Sequence, residues 1–226
     1  MMALGCENSS VLVWDLLPST STLGNPEQIS SEGEHYNPSS HIPLGCDKGK
    51  VPREKTRSHK NDIFNNKITL LGHSGPVYDV SFVTSLVQKE SKNLLLSVSR
   101  DKTMRLWNPS ENMNISVYKG HTYPVWSVDV DRLGINVATG SMEKTAKLWQ
   151  LEYTHPIRMY AGHEADVDIV KFHPNCNYLA TGSSDKTVRL WTHADAKMVR
   201  VFTGNTAGIY SLAFSPNGKF LASGGE

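Results

Sequence analysis

Three eleven-residue segments, SVSRDKTMRLW, TGSMEKTAKLW and TGSSDKTVRLW, end at Trp107, Trp149 and Trp191, so the tryptophan returns every 42 residues. A Gly-His pair precedes each one: Gly72-His73, Gly120-His121 and Gly162-His163. A fourth copy begins at Gly204-Asn205 and runs through LAFSPNGKFLASGG, and residues 3–16 (ALGCENSSVLVWDL) repeat the second half of a unit. A period of 40–45 residues with these marks constrains the chain more than its composition does. Each unit is too small to bury its own apolar face and must stack on its neighbours.

The spacing predicts four short strands per unit and no helix. Val77-x-x-Val80-x-Phe82, Val125-x-x-Val128-x-Val130, Val167-x-x-Val170-x-Phe172 and Ile209-x-x-Leu212-x-Phe214 are β-branched and aromatic runs. HisProAsnCysAsn at 173–177 and SerProAsnGly at 215–218 are turn sequences. The expected organisation is a half unit at 2–17, complete units at about 77–118, 125–161 and 167–202, and a partial unit at 209–225. Residues 67–226 thus hold the repeats. The strand ending at Trp14 is expected to be joined by Lys67–Leu71 as the outer strand of the same unit.

Each complete unit offers the same four polar or amphipathic side chains. They are His73, Ser97, Asp101 and Trp107; then His121, Thr139, Glu143 and Trp149; then His163, Thr181, Asp185 and Trp191. The acid lies six positions before the tryptophan and the hydroxyl ten before it. In the WD40 blades that this repeat resembles, such a set would meet as a hydrogen-bonded chain from carboxylate to His to hydroxyl to indole, and a buried indole or imidazole needs such a partner. A Ser/His/Asp set also suits a hydrolase. Here it recurs three times with a tryptophan attached and without a G-x-S-x-G elbow, which favours a structural role. No catalytic residue, cofactor or metal is assigned, because one histidine per unit leaves the imidazoles too far apart to share an ion. Glu143 replaces the neighbouring Asp, and its turn is expected to be looser. Asn8, Leu4 and Asn205 depart further, so the end units should lack the full chain of bonds.

Beyond the generic repeat, GHSGPVYDVSF, YKGHTYPVWSVDV, HPIRMYAGHEADVDIVKFHPNCNYLATGSSDKTVRLW and RVFTG…SLAFSPNGKFLASGGE follow one another in this order. Over about residues 2–17 and 68–226 the chain resembles the WD40 domain of the TBP-associated factor subunit five family, on the side of its coactivator branch. The resemblance implies an all-β WD40 β-propeller, here incomplete: three full blades plus partial blades at both ends. It also implies a nuclear, non-enzymatic scaffold of a TFIID or SAGA/PCAF-type complex, with histone-fold TBP-associated factors and other subunits of those complexes as partners. No small-molecule substrate, membrane or sequence-specific nucleic acid is implied. An alternative is a WD40 recognition module of another complex, such as a ubiquitin-ligase substrate receptor.

The remainder of the sequence sets bounds. A net charge of +1 gives no strong field for nucleic acid or an anionic membrane. Cys6, Cys46 and Cys176 are far apart and odd in number, as in a protein with reduced thiols. Residues 18–66, rich in Pro, Ser, Asn, Gly and charge, read as a disordered insert. Their basic part, Lys48 through Lys60, reads first as a solvated linker and otherwise as a nuclear-import or phosphate-contacting tract. Two ways of ending the repeat are open: a fragment of a larger ring, or closure of a fourth blade by pairing 209–224 with 10–14 and 67–71.

Blade geometry suggests a docking face. The residue after the first apolar position of each inner strand is Tyr78, Trp126, Asp168 or Tyr210, and the residue before each turn acid is Arg100, Met142 or Ser184. Aromatic and Arg side chains are the usual interface anchors. With Asp166 as an acidic neighbour of Asp168, these eight are the candidate partner-binding residues. For Tyr78 and Trp126, packing between blades is the competing role.

Overall fold

The fold was analysed in a computed structural model that describes residues 2–5, 9–14, 67–83 and 93–226. The insert at 18–66, with its basic part, Cys6, Cys46 and the side chains of Leu4 and Asn8 lie outside the described residues.

The described chain is a row of antiparallel sheets whose strands follow sequence order. The three complete units are four-stranded. The first contains β4 (Val77–Phe82), β5 (Leu95–Ser99), β6 (Thr103–Asn108) and β7 (Met113–Lys119). The second contains β8 (Val125–Val130), β9 (Asn136–Ser141), β10 (Thr145–Gln150) and β11 (Arg158–Ala161). The third contains β12 (Val167–Phe172), β13 (Tyr178–Ser183), β14 (Val188–Thr192) and β15 (Met198–Phe202). At one end β1 (Met2–Gly5), β2 (Ser10–Trp14) and β3 (Lys67–Leu71) form a three-stranded sheet, with Trp14 opposite Lys67. At the other, β16 (Ile209–Phe214) pairs with β17 (Leu221–Gly225). Closure of a fourth blade is not formed among the described residues: β16–β17 is a sheet of its own, and β1–β2–β3 is another.

Each sheet is short and tightly turned because the sequence supplies the turns. Lys102, Lys144 and Lys186 take positive φ (70°, 69° and 71°) behind the turn acids, so the three loops share one backbone path. The core lies between successive sheets, not within one. Val11, Val13 and Leu70 pack on Val77, Leu95 and Trp107. Tyr118 of the first complete blade packs with Val125, Val137 and Trp149 of the second. Tyr160 of the second packs with Val167, Leu179 and Trp191 of the third. Ala180 and Val188 meet Ile209 and Leu212. The inner strands β4, β8, β12 and β16 run side by side along the row.

Candidate protein-docking face

The hydrogen-bonded chains hold the loops of this face. In the first complete blade His73 Nδ1 meets Asp101 Oδ2 at 2.8 Å, His73 Nε2 meets Ser97 Oγ at 2.7 Å, and Trp107 Nε1 donates to Ser97 Oγ at 2.8 Å. The second blade gives 2.8, 2.7 and 2.8 Å through His121, Glu143, Thr139 and Trp149. The third gives 2.7, 2.7 and 2.9 Å through His163, Asp185, Thr181 and Trp191. The hydroxyl accepts from the indole, and its own proton has no described acceptor other than Nε2, so it donates there. The imidazole is therefore neutral, with its proton on Nδ1 facing the carboxylate.

Electrostatics agree with that tautomer. Burial holds His121 and His163 below the ordinary imidazole value. Burial alone would raise the Asp101, Glu143 and Asp185 carboxyls, but hydrogen bonds from the histidines and neighbouring hydroxyls outweigh it and leave them well below the carboxylate range. The Glu143 turn is not looser, contrary to expectation. Its extra methylene lets one oxygen reach His121, Thr145 (2.7 Å) and Lys147 (2.6 Å). The other accepts from Thr122 N and Oγ1 at 2.7 and 2.6 Å. Asn205, where the other units have His, meets Ser223 Oγ at 3.4 Å as a remnant of the same chain.

A pH dependence follows. The unfolded chain takes up protons at His as pH falls through about 6.5, whereas burial keeps folded His121, His163 and His193 neutral to lower pH. Stability is therefore full above that value and is lost as pH falls below it. Asp79, Asp129 and Asp168, raised by burial, act in the opposite sense. The melting temperature of the 226-residue chain is expected to fall between pH 7.5 and 5.5. A melting temperature that rises over this interval contradicts the buried neutral histidines.

Each inner strand carries a β-bulge at its second residue. The register jumps between Val77 and Asp79, Val125 and Ser127, Val167 and Ile169, and Ile209 and Ser211. The skipped residues are Tyr78, Trp126, Asp168 and Tyr210. A bulge frees its extra residue from the pleat and re-aims the side chain, and Tyr78 and Tyr210 are 40% and 53% exposed. The signal was present in the sequence: the apolar positions of these strands are spaced three and then two apart, and a regular strand gives two throughout.

The loops bring the remaining candidates alongside. Arg100 N donates to Pro76 O, Met142 N to Pro124 O and Ser184 N to Asp166 O, at 2.9, 3.0 and 3.1 Å. Across blades, the Tyr78 and Trp126 rings lie 4.5 Å apart with a 48° tilt. Trp126 Nε1 donates to Asp166 Oδ2 at 3.1 Å. Ser184 Oγ donates to Asp168 Oδ2 at 2.6 Å, and Gly208 lies against both the Tyr210 phenol and Ser184. The row thus runs from Tyr78 through Trp126 to Asp166, then from Asp168 through Ser184 to Tyr210. Arg100 and Met142 are exposed on its margin without a side-chain contact to it among those described. For Tyr78 and Trp126 both roles coexist, since their rings touch across a blade boundary and Tyr78 remains open to solvent.

Sequence reasoning missed two aspartates that join the inner strands. Asp79 accepts from Val80 N and from Val128 N in the next blade, at 2.8 and 2.9 Å. Asp129 accepts from Lys171 Nζ and Phe172 N at 2.7 and 2.8 Å. An Asp inside a β-branched run, where it is disfavoured, was the available sign. Among the described residues no group of three or more His, Cys, Asp or Glu is placed to hold a metal ion.

The family model for the WD domain, G-beta repeat, matches residues 64–108, 112–150, 154–192 and 196–226. The chain belongs to the WD40 repeat family, and its propeller blades make it a protein-interaction module. Among curated relatives, TFIID subunit 5 of Encephalitozoon cuniculi is 44% identical over 27% of this chain and 10% of its own length. That of Drosophila melanogaster is 39% identical over 48% of this chain and 12% of its own. Translation initiation factor 3 subunit I of Debaryomyces hansenii is 34% identical over 33% of this chain and 20% of its own. The chain therefore spans a small part of these relatives. The WD40 β-propeller domain of Doa1 superposes with a TM-score of 0.59 and 28% identity, covering 66% of this chain and 48% of that one.

Proposed function

We propose that this chain is a non-catalytic scaffold segment of a nuclear transcription coactivator complex of the TFIID or SAGA/PCAF type, docking histone-fold TBP-associated factors or neighbouring subunits. The observation that carries docking is the row of bulged side chains, Tyr78, Trp126, Asp168 and Tyr210, set on four adjacent inner strands. The likeness to TFIID subunit 5 in two organisms supports the choice of complex. The surroundings of the Ser/His/Asp sets speak against a hydrolase. Ser97, Thr139 and Thr181 are fully buried, and each hydroxyl is already engaged by an indole and an imidazole. The match to a translation factor subunit supports a second reading, the same face at work in a different complex.

The test is capture of a purified histone-fold TBP-associated factor pair on the immobilised 226-residue chain. Tyr78→Ala with Tyr210→Ala is expected to weaken capture about tenfold or more, the scale of interface anchors, while exposed Met159→Ala leaves it unchanged. Trp126→Ala that lowers the melting temperature yet leaves capture intact assigns Trp126 to packing alone. Absence of capture by the unaltered chain removes the histone-fold assignment.

A further inference from the structure

We propose that Trp126, Asp166 and Asp168 form a seat for one arginine side chain of a partner segment. The inference rests on the docking face above and adds the chemistry of what it receives. Three independent features meet there. The first is an aromatic surface: the bulge turns Trp126 out of the sheet, where its indole leans on Tyr78, and the Tyr78 ring is itself 40% exposed. The second is charge. Asp166 and Asp168 sit on the same loop and strand start; burial raises the Asp168 carboxyl, and the nearby Asp166 and Asp185 carboxylates raise it further. Among the described residues no lysine or arginine forms an ion pair with either one, although Glu143, Asp129, Asp185 and Asp195 all have such a partner. The third is fixed orientation. Asp166 is held by the indole N–H and Asp168 by the Ser184 hydroxyl, so both carboxylates are positioned before a ligand arrives.

These features select the cation. A planar guanidinium can stack on an aromatic face while its N–H groups reach carboxylate oxygens, and it sheds water more easily than an ammonium. Preorganised acceptors reduce what binding must spend on ordering side chains. Lysine, a compact and strongly hydrated point charge, fits the carboxylates but not the stacking surface.

The indole N–H resonances of the 226-residue chain, which has five tryptophans, provide the readout. With Trp126 assigned by Trp126→Phe, the chain is titrated with acetyl-Gly-Arg-Gly-amide, its isosteric citrulline counterpart and the lysine counterpart. The arginine peptide is expected to move the Trp126 signal at about tenfold lower concentration than citrulline and ahead of lysine. Asp166→Asn with Asp168→Asn, which keeps an acceptor for the indole, is expected to abolish the arginine preference while leaving the other four tryptophan signals in place. Equal response to arginine and citrulline, an unmoved Trp126 signal, or a preference that survives the double variant overturns the seat. If the seat fails while Tyr78→Ala with Tyr210→Ala still weakens partner capture about tenfold or more, the docking face stands and only its arginine chemistry falls.

Discussion

Trp149→Ala is expected to cost the folded chain about 3–5 kcal/mol, the range for removing a large buried aromatic. At the sensitivity of a domain this size that is a fall in Tm of roughly 10 °C. Trp149 is 1% exposed and stands where two blades meet. Tyr118 from the preceding blade packs edge-on against it at 6.2 Å and anchors its hydroxyl on Leu151 O at 2.8 Å. Removing the indole empties that joint and leaves the Thr139 hydroxyl without its donor. Thr139→Val separates the two contributions: it keeps the shape but leaves both the Trp149 N–H and His121 Nε2 unpaired, at about 1–3 kcal/mol. Urea unfolding followed by circular dichroism measures both variants. A Trp149→Ala cost below that of Thr139→Val contradicts an inter-blade joint built on the indole.

Why the hydrogen-bonded chains were legible and the face less so is a matter of distance along the sequence. Carboxylate, hydroxyl and indole of one chain lie within ten residues on one β-hairpin, and the period fixes the histidine. A repeat therefore displays the whole set. The bulges were legible only as an odd interval, 77 to 80 and its equivalents, whose meaning depends on pairing with the next strand. Of the contacts across blades, only the packing of Tyr78 and Trp126 was legible as a possibility; the polar ones were not. Trp126 meets Asp166, and Asp79 meets Val128, some forty to fifty residues away and in different repeats, where the internal symmetry says nothing about which side chains differ. The Glu143 turn shows the same limit in reverse. A longer acid suggests slack when read alone, but Thr122 and Lys147 are specific to that blade and take up the added length.

The same dependence on the neighbouring blade governs a second large effect. Gly140→Val is expected to destabilise the chain by about 3 kcal/mol, the upper part of the overpacking range. A Cβ at Gly140 would lie 2.7 Å from the Val167 carbonyl oxygen and 3.0 Å from Val167 Cγ1, on the inner strand of the next blade. A backbone carbonyl in a paired strand cannot move aside without shifting its ladder. Even Gly140→Ala should therefore lose more than the roughly 0.4–1 kcal/mol that a stiffer unfolded chain returns. Gly182 occupies the same place in the third blade, but a Cβ there would meet Ile169 Cγ2 and Ile209 Cγ2 at 2.7 and 2.8 Å, side-chain atoms of stiff β-branched residues whose displacement still leaves the ladder hydrogen bonds in place. Gly182→Ala should accordingly be the milder change. In the first complete blade Val98 fills this position, fully buried among Val125 and Val128, so the spacing between blades is set locally and not by the repeat. Thermal unfolding of the alanine pair decides the matter: a Gly182→Ala loss equal to or larger than that of Gly140→Ala would mean that the joint yields at the backbone as readily as at side chains, and the close approach at Val167 would then not be what holds the second and third blades in register.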